Sequence, residues 1–344
     1  MYEHYKPAQK IFVNREEYLS WMDESLEICR NKSRILHLRG IGGIGKSTLL
    51  NYWTRSIDTT VTLDCQQYTE FYSRLDILAK GAVRVGVNLK RFDILWHIRK
   101  RFVEGVEPAS EKGREWAKEV LVAIPFIGSL ASIGSAIKSV GDSVAPKLRQ
   151  RYGEVGQWLQ NRLGPDYMER LLEILWKEPQ HAEFLYLDAL LEDINNRKNL
   201  DTPLLFLFDH SENVDTEDKR WNYAGKMITE MELWYVFVSS LKNCVGVVAS
   251  RRAVPDLTDK TLDIEEKELT ELDSESCIEL LSQRGVNEPE FQERIVSISG
   301  GNPFVINAIC DMQETTEVSV NDIEDLPITV FPHHLHGKEV VTRR

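Results

Sequence analysis

The sequence predicts an α/β fold: a parallel sheet with a helical region inserted into it and a small helical subdomain at its C-terminal end. Three observations carry that expectation. Short, nearly continuous apolar runs each end in a polar residue, as parallel strands buried on both faces do. A glycine cluster follows the first run directly and opens a helix. Between the second and third runs, from about residue 68 to 200, the text is mostly helical.

Each element has its own warrant. Arg34-Ile-Leu-His-Leu-Arg39 alternates and ends at the glycines, which makes it the first strand. Leu49, Leu50 and Trp53 then fall on one helical face. Thr60-Val-Thr-Leu-Asp64 reads as the second strand. Phe92–Phe102 and Ala182–Asn199 are the clearest helices of the long middle stretch. Leu204–Phe208, ending in Asp209, and Val245–Ala249, ending in Ser250-Arg251, complete the sheet. Beyond Asp273 the period is helical through Cys277–Gln283, Glu290–Ser299 and Pro303–Cys310, and the tail from Gln313 is expected to fray. No fixed-period repeat or low-complexity tract interrupts this order. The expected division is 1–70 and 201–262 for the sheet core, 71–200 for the insertion, 263–312 for the helical subdomain and 313–344 for the tail.

Composition narrows the function. The 344 residues are enough for two domains, and 42% hydrophobic content suffices for a core. A net charge of −12 argues against a wholly basic nucleic-acid binder. Charge is uneven: residues 71–165 carry 16 Lys+Arg and 9 Asp+Glu, a local +7, inside an otherwise acidic chain. Cys29, Cys65, Cys244, Cys277 and Cys310 are odd in number and lack CxxC spacing, which excludes a disulfide framework and a zinc knuckle. With no apolar leader at the N-terminus, the expected setting is cytoplasmic.

Gly40-Ile-Gly-Gly-Ile-Gly45-Lys46-Ser47 matches GxxxxGK[ST] without a mismatch, after a strand and at the start of a helix. Glycines at these positions let successive backbone N–H groups turn toward phosphate oxygens, and the helix N-terminus adds its positive dipole end. The motif therefore predicts a P-loop NTPase fold and an ATP or ADP site. The candidate contacts are Gly40, Gly42, Gly43, Ile44, Gly45, Lys46, Ser47 and Thr48. Lys46 would reach the β- and γ-phosphates, and Ser47 would ligate Mg²⁺. Asp209, ending a later strand, is the natural candidate for the carboxylate that holds the magnesium and a catalytic candidate; a helix-capping or turn Asp is the alternative. Many hydrolysing relatives of such loops carry an acid directly after this Asp, but here that residue is His210. Glu212 is the remaining catalytic candidate, although Glu212 and Asp215 read more simply as solvated loop acids.

Further segments bring a family into view. Phe12-Val-Asn-Arg-Glu16 followed by Leu19, the loop Gly40–Leu49, Asp209-His-Ser-Glu-Asn213, Ala249-Ser-Arg251 and Gly301-Asn-Pro-Phe304 occur in that order. The set resembles the STAND signal-transduction ATPases, the class that includes the NB-ARC proteins, over roughly residues 10–312 outside the insertion. The resemblance implies that Arg15 and the Phe12-Val13 backbone lie near adenine, that Arg251 contacts the γ-phosphate and that Pro303 stacks on the base. Each also has a plainer reading: a helix-start arginine, a solvated strand end, an N1 proline. Asn14 stands where the family usually has Gly, and His210 where an acid is common.

Within the insertion, residues 120–137 form an 18-residue run without a charge. A membrane span, a membrane-touching helix and a buried helix are all readings of such a run. Gly128, Ser132 and Ser135 favour close packing, so the buried helix is preferred. The basic residues around it (Arg99-Lys-Arg101, Lys147, Arg149, Arg151) are taken as a solvated face in preference to a lipid or nucleic-acid arm. Trp96, Trp116 and Trp158 are taken as core, and His333-His-Leu-His336 as a chance cluster. The function expected is an ATP-binding signal-transduction switch with slow or absent hydrolysis, meeting a protein partner or a second copy of itself. The alternatives are an AAA-like ATPase acting on DNA and a binding module whose nucleotide is only structural.

Overall fold

In chain order the strands are β1 (Ser33–Arg39), β2 (Thr60–Asp64), β3 (Leu204–Asp209), β4 (Trp221–Tyr223), β5 (Lys226–Ile228), β6 (Cys244–Ser250) and β7 (Ile264–Glu268). The computed structural model describes residues 13–29, 32–105, 155–166, 170–171, 173–174, 178–198, 201–214, 220–223, 225–254 and 262–315. The run 120–137, Trp116, the basic residues 147, 149 and 151, Asp215 and His333–His336 lie outside them. The helices are α1 (Glu16–Ile28), α2 (Lys46–Trp53), α3 (Phe71–Arg84), α4 (Lys90–Gly105), α5 (Pro179–Asn195), α6 (Glu230–Ser239), α7 (Ser274–Gln283), α8 (Pro289–Ser299) and α9 (Pro303–Thr315). No helix among the described residues is long and apolar enough to cross a membrane.

Five strands pair in the order β2-β3-β6-β1-β7, all parallel, while β4 and β5 form a separate hairpin. The fold is α/β, built on this five-stranded parallel sheet. The four strands expected from the apolar runs are present, and their burial explains the signal. β6, in the middle, is buried along its whole length, and β3 is buried up to Asp209. Leu205 and Leu207 of β3 join Leu36 and Leu38 of β1 and Val245 and Val247 of β6 in a core that includes Trp21, Met22, Leu49 and Trp53. The alternate residues Phe206 and Phe208 face the other way and meet Phe237 and Trp234 edge-on or tilted. Helix α6 carries those rings and begins with a reciprocal cap. The Thr229 hydroxyl accepts from the Glu232 N–H at 3.2 Å, and the Glu232 carboxylate accepts from the Thr229 N–H at 2.6 Å.

β7 was not expected. Its sequence, Ile-Glu-Glu-Lys-Glu, has no apolar alternation because it is an edge strand paired on one side only. It is held by charges across the pair: Arg34 to Glu265 at 2.7 Å and Arg39 to Glu268 at 2.7 Å. Charge on an edge also discourages addition of a further strand. Helices α7, α8 and α9 bury a second core of Leu272, Cys277, Leu281, Phe291, Ile295 and Ile306, and Val13 from the N-terminal segment packs into it.

The chain divides into two units, Met1–Arg74 with Asp201–Arg344, and Leu75–Leu200. The second unit is helical among its described residues. Asp193 of α5, buried, accepts the N–H groups of Arg91 and Phe92 at 2.7 and 3.0 Å and pairs with the Arg91 guanidinium at 2.8 Å, so it caps the first turn of α4 from outside. Trp96 stacks on Phe92 and meets Tyr186 edge-on, and Trp158 is buried. Both indoles are packing residues, as expected. Arg99 lies over the Trp96 ring at 5.2 Å.

Candidate functional site

The C-terminal ends of β1, β3 and β6 fall side by side, since Arg39 is in register with Ser250 and Phe208 with Val248. That edge is where open parallel sheets bind ligands. The loop after β1 leaves the sheet tied to its neighbour, with the Gly40 N–H donating to the Ser250 carbonyl at 3.1 Å. Gly43 (φ 79°) and Gly45 (φ 102°) take left-handed backbone that only glycine adopts without strain. Gly45 caps α2, whose first N–H groups and dipole make an anion-binding end. The Lys46 amine lies buried across the loop, donating to the carbonyls of Gly40 at 2.6 Å and Ile41 at 3.1 Å. Burial lowers its pKa; Arg251 adds to that, while Glu212 and Asp209 oppose it.

A second wall follows β3. Asp209 accepts the N–H of His210 on Oδ1 at 2.9 Å. His210 is left-handed (φ 53°), a conformation His visits more readily than most residues, and its Nδ1 lies 3.1 Å from Oδ1 of Asp64 on the adjacent β2. A short 3-10 turn, Ser211–Asn213, is fixed by the Ser211 hydroxyl donating to the Ala249 carbonyl at 3.1 Å. This turn brings Glu212 to Arg251 at the end of β6. Arg251 Nε is 3.0 Å from Glu212 Oε1, and the Arg251 backbone N–H donates to Glu212 Oε2 at 3.3 Å. The Glu212 side chain is 14% exposed. It is not the solvated loop acid that its spacing suggested.

The third wall comes from the turn before α9. Asn302 donates from Nδ2 to the Gly42 carbonyl at 3.4 Å, and Phe304 sits so close that a Cβ on Gly43 would lie 2.7 Å from its own Cβ. Gly42, Gly43, Gly45, Lys46, Ser47, Thr48, His210, Glu212, Arg251, Pro303, Phe304 and Asn307 together line an open cleft of about 330 Å³. That is within the range of small-ligand pockets.

Of the residues expected at the site, Gly42, Gly43, Gly45, Lys46, Ser47, Thr48, Glu212, Arg251 and Pro303 line this cleft; Arg15, Gly40, Ile44 and Asp209 do not. Ile44 is fully buried in the main core. Asp209 ends β3 just before His210, its side chain 15% exposed. Arg15, expected near adenine by resemblance, is buried and donates to the carbonyls of Ile44 at 3.4 Å and Thr270 at 3.0 Å. Its neighbour Val13 packs in the helical core, and Phe12 lies outside the described residues. Asn14 is left-handed (φ 49°), a conformation that asparagine visits more readily than most residues. Its amide donates to Asp273 at 2.9 Å and Ser276 at 2.7 Å. His210, Phe304 and Asn307 were missed as lining residues. Asn307 follows Pro303 by four residues and so shares its helix face, a signal present in the sequence.

No protein-family model and no curated protein sequence matches the chain. Among solved structures it is similar to a signal transduction ATPase with numerous domains (STAND) with a tetratricopeptide repeat sensor from Pyrococcus horikoshii. That likeness has 12% sequence identity and a TM-score of 0.36, covering 88% of this chain and 30% of that one. The chain thus spans less than a third of that protein's length.

Proposed function

We propose that the chain is an ATP/ADP-binding switch of STAND type, in which nucleotide in the cleft sets the position of the helical subdomain. The observation that carries this reading is the seating of the turn Asn302–Phe304 directly on the phosphate loop. A ligand held by Gly43–Thr48 cannot change its fit without acting on Pro303, Phe304 and Asn307, which line the same cleft. The donor set suits Mg²⁺: the Ser47 hydroxyl in the cleft and the Asp209 carboxylate at the sheet edge are hard oxygen ligands. Bound there, magnesium would neutralise charge on the β- and γ-phosphates.

Hydrolysis is proposed to be slow. His210 occupies the place after Asp209, and both carboxylate oxygens of Glu212 are engaged by Arg251. The proposed setting is the reducing cytoplasm, in keeping with five buried cysteine thiols, and the proposed partner is a protein or a second copy of the chain.

Calorimetry with MgADP and a non-hydrolysable MgATP analogue tests the reading. Wild type should bind both, and Lys46→Ala should weaken the triphosphate at least tenfold while leaving the chain folded. Equal triphosphate affinities for the two proteins would defeat it.

A further inference from the structure

Glu212 and Arg251 pair in the wall of the cleft, and the pair is closed twice. The guanidinium Nε meets one carboxylate oxygen at 3.0 Å, and the Arg251 backbone N–H donates to the other at 3.3 Å. Both residues line the cleft with Lys46, Ser47 and Thr48. The two partners differ in freedom. Arg251 is 42% exposed on its side chain, while Glu212 is 14% exposed and set on the turn that Ser211 fastens to β6. The guanidinium is therefore the member able to leave.

Resting on the nucleotide reading above, we infer that Glu212 is a specificity-determining residue. By holding Arg251 as an internal anion, it makes the resting cleft favour a nucleoside diphosphate over a triphosphate. A diphosphate satisfied by the loop and Lys46 leaves the pair intact. A third phosphate extends beyond Lys46 and competes for the guanidinium, since a phosphate dianion and a carboxylate both suit its fork of donors. For that exchange the Arg251–Glu212 contact must open, and the carboxylate left behind faces a phosphate of like charge. Both effects weaken triphosphate alone. An ion pair with one partner this exposed is worth little in total, so the discrimination should be modest, about two- to tenfold in the affinity ratio.

The test is a double-mutant cycle on the full chain, reading the ratio of affinities for MgADP and a non-hydrolysable MgATP analogue in wild type, Glu212→Gln, Arg251→Ala and the double variant. Glu212→Gln should shift the ratio toward triphosphate by about fivefold, and most of that shift should vanish when Arg251 is already Ala. Glu212→Asp, which keeps the charge but withdraws the carboxylate from Nε, should shift it the same way by less, and serves if the glutamine variant does not fold. A ratio unchanged by either Glu212 variant, or shifted equally with and without Arg251, overturns the inference while ADP binding stands. Failure of the wild type to bind either nucleotide overturns both the inference and the nucleotide reading.

Discussion

His37 in the middle of β1 donates from Nε2 to the backbone carbonyl of Arg252 at 2.9 Å, pinning the chain just past Arg251 to the strand that leads into the glycine loop. A carbonyl only accepts, so the proton sits on Nε2, and Nδ1 accepts from the Tyr235 hydroxyl at 2.6 Å. The ring is buried in its neutral form, and burial holds its pKa below the ordinary 6.5.

Stability should therefore depend on pH in a defined direction. Because the folded value lies below the unfolded one, the unfolded chain binds more protons as pH falls past about 6.5. The contribution of His37 is fully present above that value and is lost progressively down to the folded pKa. Urea midpoints at pH 7.5 and 5.5 should fall further in wild type than in His37→Gln. Equal falls would show that the ring does not titrate against folding.

Gly43→Ala should separate the turn Asn302–Phe304 from the glycine loop. The substitution forces a left-handed alanine, which costs about 1–2 kcal/mol. It also sets a Cβ 2.7 Å from that of Phe304, which is half exposed and so has somewhere to go. Hydrogen exchange at the amides of residues 304–307 should quicken, and the companion change Phe304→Ala should relieve the steric part. Unaltered exchange would mean that the turn is not seated on Gly43 in solution.

Arg74 and Glu230 make a buried bidentate pair, with both N–O distances 2.6 Å and side chains 4% and 6% exposed. The Tyr68 carbonyl and the Trp234 indole N–H complete it. Arg74→Met leaves a buried carboxylate without its cation and should cost about 3–5 kcal/mol, whereas Arg74→Met with Glu230→Leu should recover most of that loss. Denaturant unfolding of the three proteins decides it; a single variant costing under about 1 kcal/mol would be inconsistent with the pair as described.

Steady-state phosphate release should run well below the roughly 10 per second typical of enzymes, given an Arg251-bound Glu212 and a histidine at position 210. Fast release that depends on Glu212 would reverse that expectation.

The sheet interior was legible in the sequence because burial on both faces writes itself as unbroken apolar text in Leu204–Phe208 and Val245–Ala249. The glycine loop was legible because its backbone demands glycine at 43 and 45. β7 was not, since an edge strand owes its conformation to β1 and carries solvent-facing charge. Glu212 was misread because spacing along a chain does not reveal a 3-10 turn, and that turn is what aims it at Arg251. Arg15 was not legible either: only the fold shows its guanidinium tying the start of α1 to the Ile44 and Thr270 carbonyls.

The order of the sheet also governs how the protein can be made. β1 has two neighbours, β6 and β7, and the nearer in sequence begins about 210 residues downstream, at Cys244 against Ser33. At roughly 5–20 residues per second of synthesis, the strand that leads into the glycine loop waits about 10–40 seconds on the ribosome with neither hydrogen-bonded edge covered. Nascent chains arrested before residue 250 should therefore be protease-sensitive throughout residues 33–53, and protection there should arise only once β6 has emerged.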